Sequence, residues 1–263
     1  MSRKRFALMV AAASLAGASA VEAAQLGTSL SINFVGGATT DPVTPGVSLL
    51  PGDVAGVIPS RNWNNADGAS GTLNNVVADI NGVATPIPGS SFTWATNNNW
   101  STDAEGNTSQ FLNPADEKMM SGYVDIAEAT PPAPRQFVLS GIPNGTYDVI
   151  VYSMTAVTNR DSGNIAVNGV NKKSITPAAP STVFLAGGGP GGDDNLGGLP
   201  GNYNLYPLVT VTNGTITFDM NAITFRTAIN GIQVYDPATV PEPAALGLIG
   251  LCGAALMGRR RRA

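Results

Sequence analysis

An all-β fold, an antiparallel β-sandwich of the jelly-roll kind, is what the middle of this chain predicts, and three observations carry the prediction. Asn-Gly pairs, the strongest short hairpin signal, occur at Asn81-Gly82, Asn144-Gly145, Asn168-Gly169, Asn213-Gly214 and Asn230-Gly231. Most are flanked by short segments rich in β-branched and aromatic residues, some alternating with a period of two, at near-regular spacing. No stretch between residues 24 and 236 keeps a 3.6-residue period with caps over several turns.

In chain order, residues 1–23 come first. Arg3, Lys4 and Arg5 precede an apolar run, which ends in Ala18-Ser19-Ala20 and Val21-Glu22-Ala23, the pattern of a secretory signal peptide. Residues 24–236 form the predicted sandwich domain. Strands are expected at 30–35, 137–139, 146–152, 164–167, 182–185, 208–212, 215–220 and 228–235. Within 146–152 the alternation puts Tyr147, Val149 and Val151 on one face and Asp148 and Ile150 on the other. Residues 208–212 and 215–218, joined by Asn213-Gly214, read as a two-residue hairpin with Thr212 opposite Thr215. The one candidate for a short helix is 114–122.

Composition excludes several chemistries. The 263-residue chain contains no histidine. That removes Ser-His-Asp and Cys-His catalysis and nearly all catalytic zinc sites. Its one cysteine, Cys252, lies in the C-terminal apolar run, so no disulfide staples the domain. Seven of the 14 basic residues sit in the signal peptide and the tail, against two of the 18 acidic ones, which leaves the body near −9. Such a body, without a basic cluster, argues against nucleic acid and anionic lipid as partners.

Residues 237–263 form a tail of a different kind. Val240, Pro241, Glu242 and Pro243 lead into an unbroken small and apolar run from Ala244 to Met257, closed by Arg259, Arg260, Arg261 and Arg262. As a helix these 14 apolar residues would span about 21 Å, short of a hydrocarbon core of roughly 30 Å. The arginines favour the cytoplasmic side, and the prolines stop a helix from continuing upstream. The order of triplet, apolar helix and arginine cluster resembles the PEP-CTERM sorting signal of bacterial exported proteins. That resemblance implies recognition by an exosortase, a multi-pass membrane cysteine protease, with transient inner-membrane contact and cleavage near Pro241, Glu242 and Pro243. The cell surface or extracellular matrix is the expected destination.

The body is similar, over roughly residues 56–236, to galactose-binding-like jelly-roll domains. The residues that carry this resemblance are Trp63-Asn64-Asn65, the run from Met120 to Asp125, the run from Leu139 to Tyr152 and the run from Ile229 to Tyr235. They mark strands and turns rather than a ligand site. For a ligand, Trp63, Trp94 and Trp100 stand among asparagines, Asn64 included, and aromatic faces with neighbouring amides suit extracellular polysaccharide. The same tryptophans suit core packing. Asp193 and Asp194, in a loop with eight glycines between residues 186 and 202, are of the calcium-ligand type, although one copy of such a loop also reads as a solvated connection. A structural calcium, which such domains often carry, has Asp116, Glu117 and Asp125 as other acidic candidates. Sequons at Asn99, Asn107, Asn144 and Asn213 read first as turn chemistry. No residue declares catalysis. The expected function is therefore a non-catalytic carbohydrate-binding or structural, adhesive module, with a glycoside-active enzyme on the same scaffold as the alternative.

Overall fold

The computed structural model describes residues 29–37, 47–102, 110–127, 135–156, 161–178, 180–187, 189–190, 199–221 and 226–239. The expected signal peptide, the apolar run and arginines of the tail, and Asp193 and Asp194 lie outside the described residues. Two mainly antiparallel sheets face each other across one core, with a small third sheet at one end. This is the β-sandwich that the alternating segments predict.

The first sheet has the order β15 (Tyr203–Val211), β10 (Gly145–Tyr152), β18 (Gly231–Tyr235), β1 (Ser29–Phe34), β4 (Val77–Ile80), β5 (Val83–Pro86), and β2 (Asn64–Ala66) pairs with β1 in parallel. The second runs β13 (Gly189–Pro190), β12 (Val170–Ile175), β11 (Asp161–Val167), β16 (Thr215–Met220), β9 (Arg135–Ser140), β6 (Ser91–Ala95), β3 (Ser70–Asn74). There β14 (Leu199–Pro200) pairs with β12 in parallel. Between the sheets lie Leu30, Ile32, Phe34, Tyr147, Val149, Val151, Ile232 and Val234 from the first and Phe92, Trp94, Phe137, Leu139, Ile216 and Phe218 from the second. As expected, Tyr147, Val149 and Val151 share the face of β10 that enters this core.

The other face of the first sheet is buried too. Residues 47–63 and the helix α1 (Pro114–Ser121) cover it, which is why every residue of β1 is buried despite its polar alternates. Those alternates are answered by hydrogen bonds, because an unpaired buried polar group is costly. Gln233 accepts from Tyr152 Oη and donates to Ile58 O at 2.9 Å and Ser60 Oγ at 3.1 Å. Asn113 caps α1 by accepting from Ala115 N at 2.9 Å, and Pro114 fills a first-turn position where no N–H is needed.

Half-buried Asp116 on α1 accepts from Gly56 N at 2.8 Å, yet burial outweighs that bond and holds its carboxyl above the usual 3.8. A carboxyl raised in the folded state gives stability that is complete below 3.8 and lost as pH rises through the folded value. Asp116→Asn keeps the acceptor and removes the charge. It should therefore melt higher than the parent at neutral pH, with the difference closing below pH 3.8. Parallel melting curves across that range check this.

Three expectations need correction. Residues 208–212 and 215–220 do not form a hairpin: β15 pairs with β10 in the first sheet, while β16 pairs with β9 and β11 in the second. Asn213-Gly214 instead arches from one sheet to the other, as does Asn144-Gly145 beside it, and Gly214 N donates to Asn144 Oδ1 at 2.9 Å. Only Asn81-Gly82 and Asn168-Gly169 close two-residue hairpins, where both residues take positive φ, 52° and 86° in one and 46° and 82° in the other. Secondly, 228–235 is not one strand. Asn230 separates β17 (Arg226–Ile229), in the third sheet, from β18, and is held by donating to Met120 O and Gly122 O, both at 2.9 Å. Lastly, 182–185 is irregular, because Phe184 turns in to pack on Phe111 at 4.8 Å.

Strand direction gives the sandwich two distinct ends. Leu30 of β1 pairs with Val234 of β18, so the first strand starts beside the point where the last one finishes. The Asn81-Gly82 turn and the arches at 144–145 and 213–214 lie at this same end. The third sheet, β17, β8 (Gly122–Ala127) and β7 (Asn98–Ser101), is built from chain that leaves the opposite ends of β6 and β16.

Candidate functional site

The third sheet brings together polar and aromatic side chains with a sugar-binding or ion-binding chemistry. Successive side chains of a strand point to opposite faces. One face, with Val124, Ile126 and Ile229, closes the core. The other presents Asn98 and Trp100 of β7, Tyr123 and Asp125 of β8, and Arg226 of β17, with Asn98 opposite Asp125 and Trp100 opposite Tyr123. Asp125 is fully buried, and its Oδ2 accepts from Arg226 Nη1 at 2.7 Å, while the arginine side chain remains 43% exposed. Trp100 is half-buried; its Nε1 and the Oγ1 of Thr102, just beyond β7, are buried without a hydrogen-bond partner among the described residues. Donors left so are unusual in a folded interior.

A close backbone approach seats this sheet. A Cβ on Gly122 would stand 2.3 Å from Phe34 O, and one on Gly36 would stand 2.4 Å from Gly122 Cα. Asn99 Nδ2 donates to Gly36 O at 3.1 Å across the same contact, which also buries the Asn99 sequon.

The residues singled out from the sequence divide sharply. Trp63 is 5% exposed, donates from Nε1 to Ser60 O at 3.0 Å and packs on Tyr152 at 6.3 Å. Trp94 is 3% exposed, donates to Gly68 O at 3.1 Å and stacks on Phe92 at 5.8 Å. Asn64 is bound on both sides by backbone, donating to Ser31 O and Val77 O and accepting from Val77 N. These three are not a surface platform: their rings and amide are committed to the interior. Trp100 alone of the tryptophans keeps partial exposure, and it lies on the same face as Asp125, named from the sequence for a different ligand. Asp116 and Glu117 are on α1, which is not part of the third sheet. Among the described residues no three acidic side chains gather as a metal site. Arg226 was not singled out; the signal for it was its rarity, as one of seven basic residues in the body.

The sorting tail follows the fold directly. After Tyr235 the chain makes a tight turn in which Asp236 Oδ1 accepts from Ala238 N at 2.8 Å and Asp236 O from Thr239 N at 3.0 Å. Among the described residues no helix is long and apolar enough to cross a membrane.

Comparison with known families places the PEP-CTERM protein-sorting motif at residues 239–262, where Val240 to Pro243 and Arg259 to Arg262 lie. No curated protein and no solved structure matches the chain. The motif marks an exported protein processed by an exosortase-type membrane enzyme and delivered to the surface or the extracellular space.

Proposed function

We propose that the body is a non-catalytic carbohydrate-binding module of the galactose-binding-like jelly-roll type, which the tail delivers to the cell surface or its polysaccharide matrix. The observation that carries this reading is the polar face of the third sheet, where half-buried Trp100 and Asn98 and exposed Arg226 surround the buried Asp125 carboxylate that holds the guanidinium. An indole offers an apolar face to a sugar ring, a guanidinium held in place by the buried Asp125 carboxylate offers donors to hydroxyls, and the Asn98 amide offers both donor and acceptor. The carboxylate of that face is engaged by a guanidinium, an arrangement suited to binding rather than to the paired acid and base of glycoside hydrolysis. The site stands at the end opposite the tail, where it faces away from the membrane during sorting.

A glycan array with the purified protein, in calcium and in chelator, tests the reading. Trp100→Ala and Arg226→Ala should each lower affinity about ten-fold or more, the cost of removing a central aromatic or arginine contact. Binding that ignores both substitutions would move the site elsewhere. No binding to any glycan would leave a structural module, and product released from a glycan would favour an enzyme.

A further inference from the structure

The distance between the fold and the sorting motif is short enough to constrain the enzyme that cuts it. β18 is a central strand, hydrogen-bonded to β10 and β1 on its two sides, and Tyr235 at its end is buried. The turn stapled by Asp236 ends at Thr239, and the motif begins at that residue. No linker intervenes. From Thr239 to Pro241 the chain reaches at most about 7 Å, and to Pro243 about 14 Å, at ~3.3–3.6 Å per residue.

The exit is recessed as well. Asp148 of β10 pairs with Tyr235, so residues 145–147 and the arches at 144–145 and 213–214 extend past the point where β18 stops. On the other side Ser29 pairs with Asp79, and the Asn81-Gly82 turn extends beyond it. A membrane enzyme that reaches Pro241 to Pro243 therefore touches this end of the sandwich when it cuts. Two exposed apolar side chains flank the exit at its own level. Leu208 (68% exposed) is two strands away, about 10 Å, and Val83 (63% exposed) is three strands away, about 14 Å, at the usual strand spacing. Leu208 also holds φ +57°, a left-handed conformation that a leucine rarely takes, with its N–H bound to Asp148 Oδ1 at 2.8 Å.

We propose that this tail-side end, with Leu208 and Val83 on either side of Asp236, is a docking surface for the exosortase-type enzyme, so that the folded body and the tail are recognised together. The partner is a protein rather than the bilayer. Asp148 and Asp236 stand beside the exit and the body is near −9, which repels an anionic lipid surface, while isolated apolar side chains among neutral turns suit a protein contact. The proposal rests on the sorting motif alone and is independent of the glycan reading.

The test follows loss of the tail by mass in cells or membranes that contain the full chain and its sorting enzyme. One variant carries a 12-residue Gly-Ser spacer between Thr239 and Val240, an addition of roughly 20 Å in root-mean-square reach. A second is Val83→Glu with Leu208→Asp, the aspartate being at home in the left-handed region. A third, Ala95→Glu, places a charge on an exposed position at the far end of β6. The spacer and the double substitution should each slow tail removal by about five-fold or more, as loss of contacts at an interface centre does, and Ala95→Glu should leave it unchanged. Melting curves check that each body is folded, and the spacer keeps the test decisive if the double substitution unfolds. Tail removal at the parental rate, or faster, in the spacer variant overturns the proposal, as does firm binding of the tail-cleaved product to lipid vesicles that lack the enzyme.

Discussion

Trp94→Ala should lower the stability of the folded body by about 3–5 kcal/mol, the range for removing a large aromatic from a packed core. In a domain of this size that is a fall in melting temperature on the order of 10 °C. Trp94 stacks on Phe92 with an interplanar angle of 19° and meets Phe34 edge-on at 6.3 Å, in a cluster that also holds Phe137 and Phe218. Its ring also fills the space over Gly71, whose missing Cβ would stand 2.6 Å from Trp94 Cη2. Truncation opens a cavity between the two sheets and leaves Gly68 O without its indole donor. Trp63→Ala should behave alike through the second cluster, around Tyr152 and α1. Trp100→Ala, on a partly exposed ring, should move the melting temperature far less. A thermal melt of the three variants separates them. If Trp94→Ala melted within about 2 °C of the parent, the aromatic cluster would not hold the sheets together as described.

Gly122→Ala should be at least as damaging locally, by a different cause. The φ of Gly122 is −86°, which any residue accepts, so conformation is not the constraint. Space is. The added Cβ would lie 2.3 Å from Phe34 O and 2.5 Å from Val35 C, and these are main-chain atoms that cannot rotate away. Relief requires β8 to move off the end of β1, carrying Tyr123 and Asp125 with it. Overpacking ordinarily costs about 1–3 kcal/mol, and contact with backbone puts this substitution at the upper end or above. The measured result should be a lower melting temperature together with loss of any glycan binding that depends on Trp100 and Arg226. An unchanged melt with intact binding would mean that the third sheet is not seated by this contact.

Much of the strand layout was legible because alternation reports directly which side chains a sheet buries. β1, β9, β10, β15, β16 and α1 fall on or near the expected positions. Pairing was less legible. An Asn-Gly pair satisfies a local turn wherever it occurs, but at 213–214 and 144–145 the flanking strands belong to opposite sheets, since each inward apolar face needed a separate partner across the core. The positive φ of both residues at 81–82 and 168–169, and not of Asn144 or Asn213, is the conformational trace of that difference. The strands β2 to β7 were not placed because runs of three to five residues are too short to carry a periodic signal.

The sequence by itself determined where this protein goes and what class of fold travels there. The sorting signal is a contiguous string of residues from Val240 to Arg262, so its presence can be read along the chain without reference to any tertiary contact. Only the tertiary structure decided which tryptophan stays near the surface, brought Trp100, Asp125 and Arg226 to one face from three separate strands, and set that face at the end opposite the tail. Burial and juxtaposition arise from the packing of segments far apart in the chain, here Asp125 and Arg226 with a separation of 101, and local composition holds no record of them.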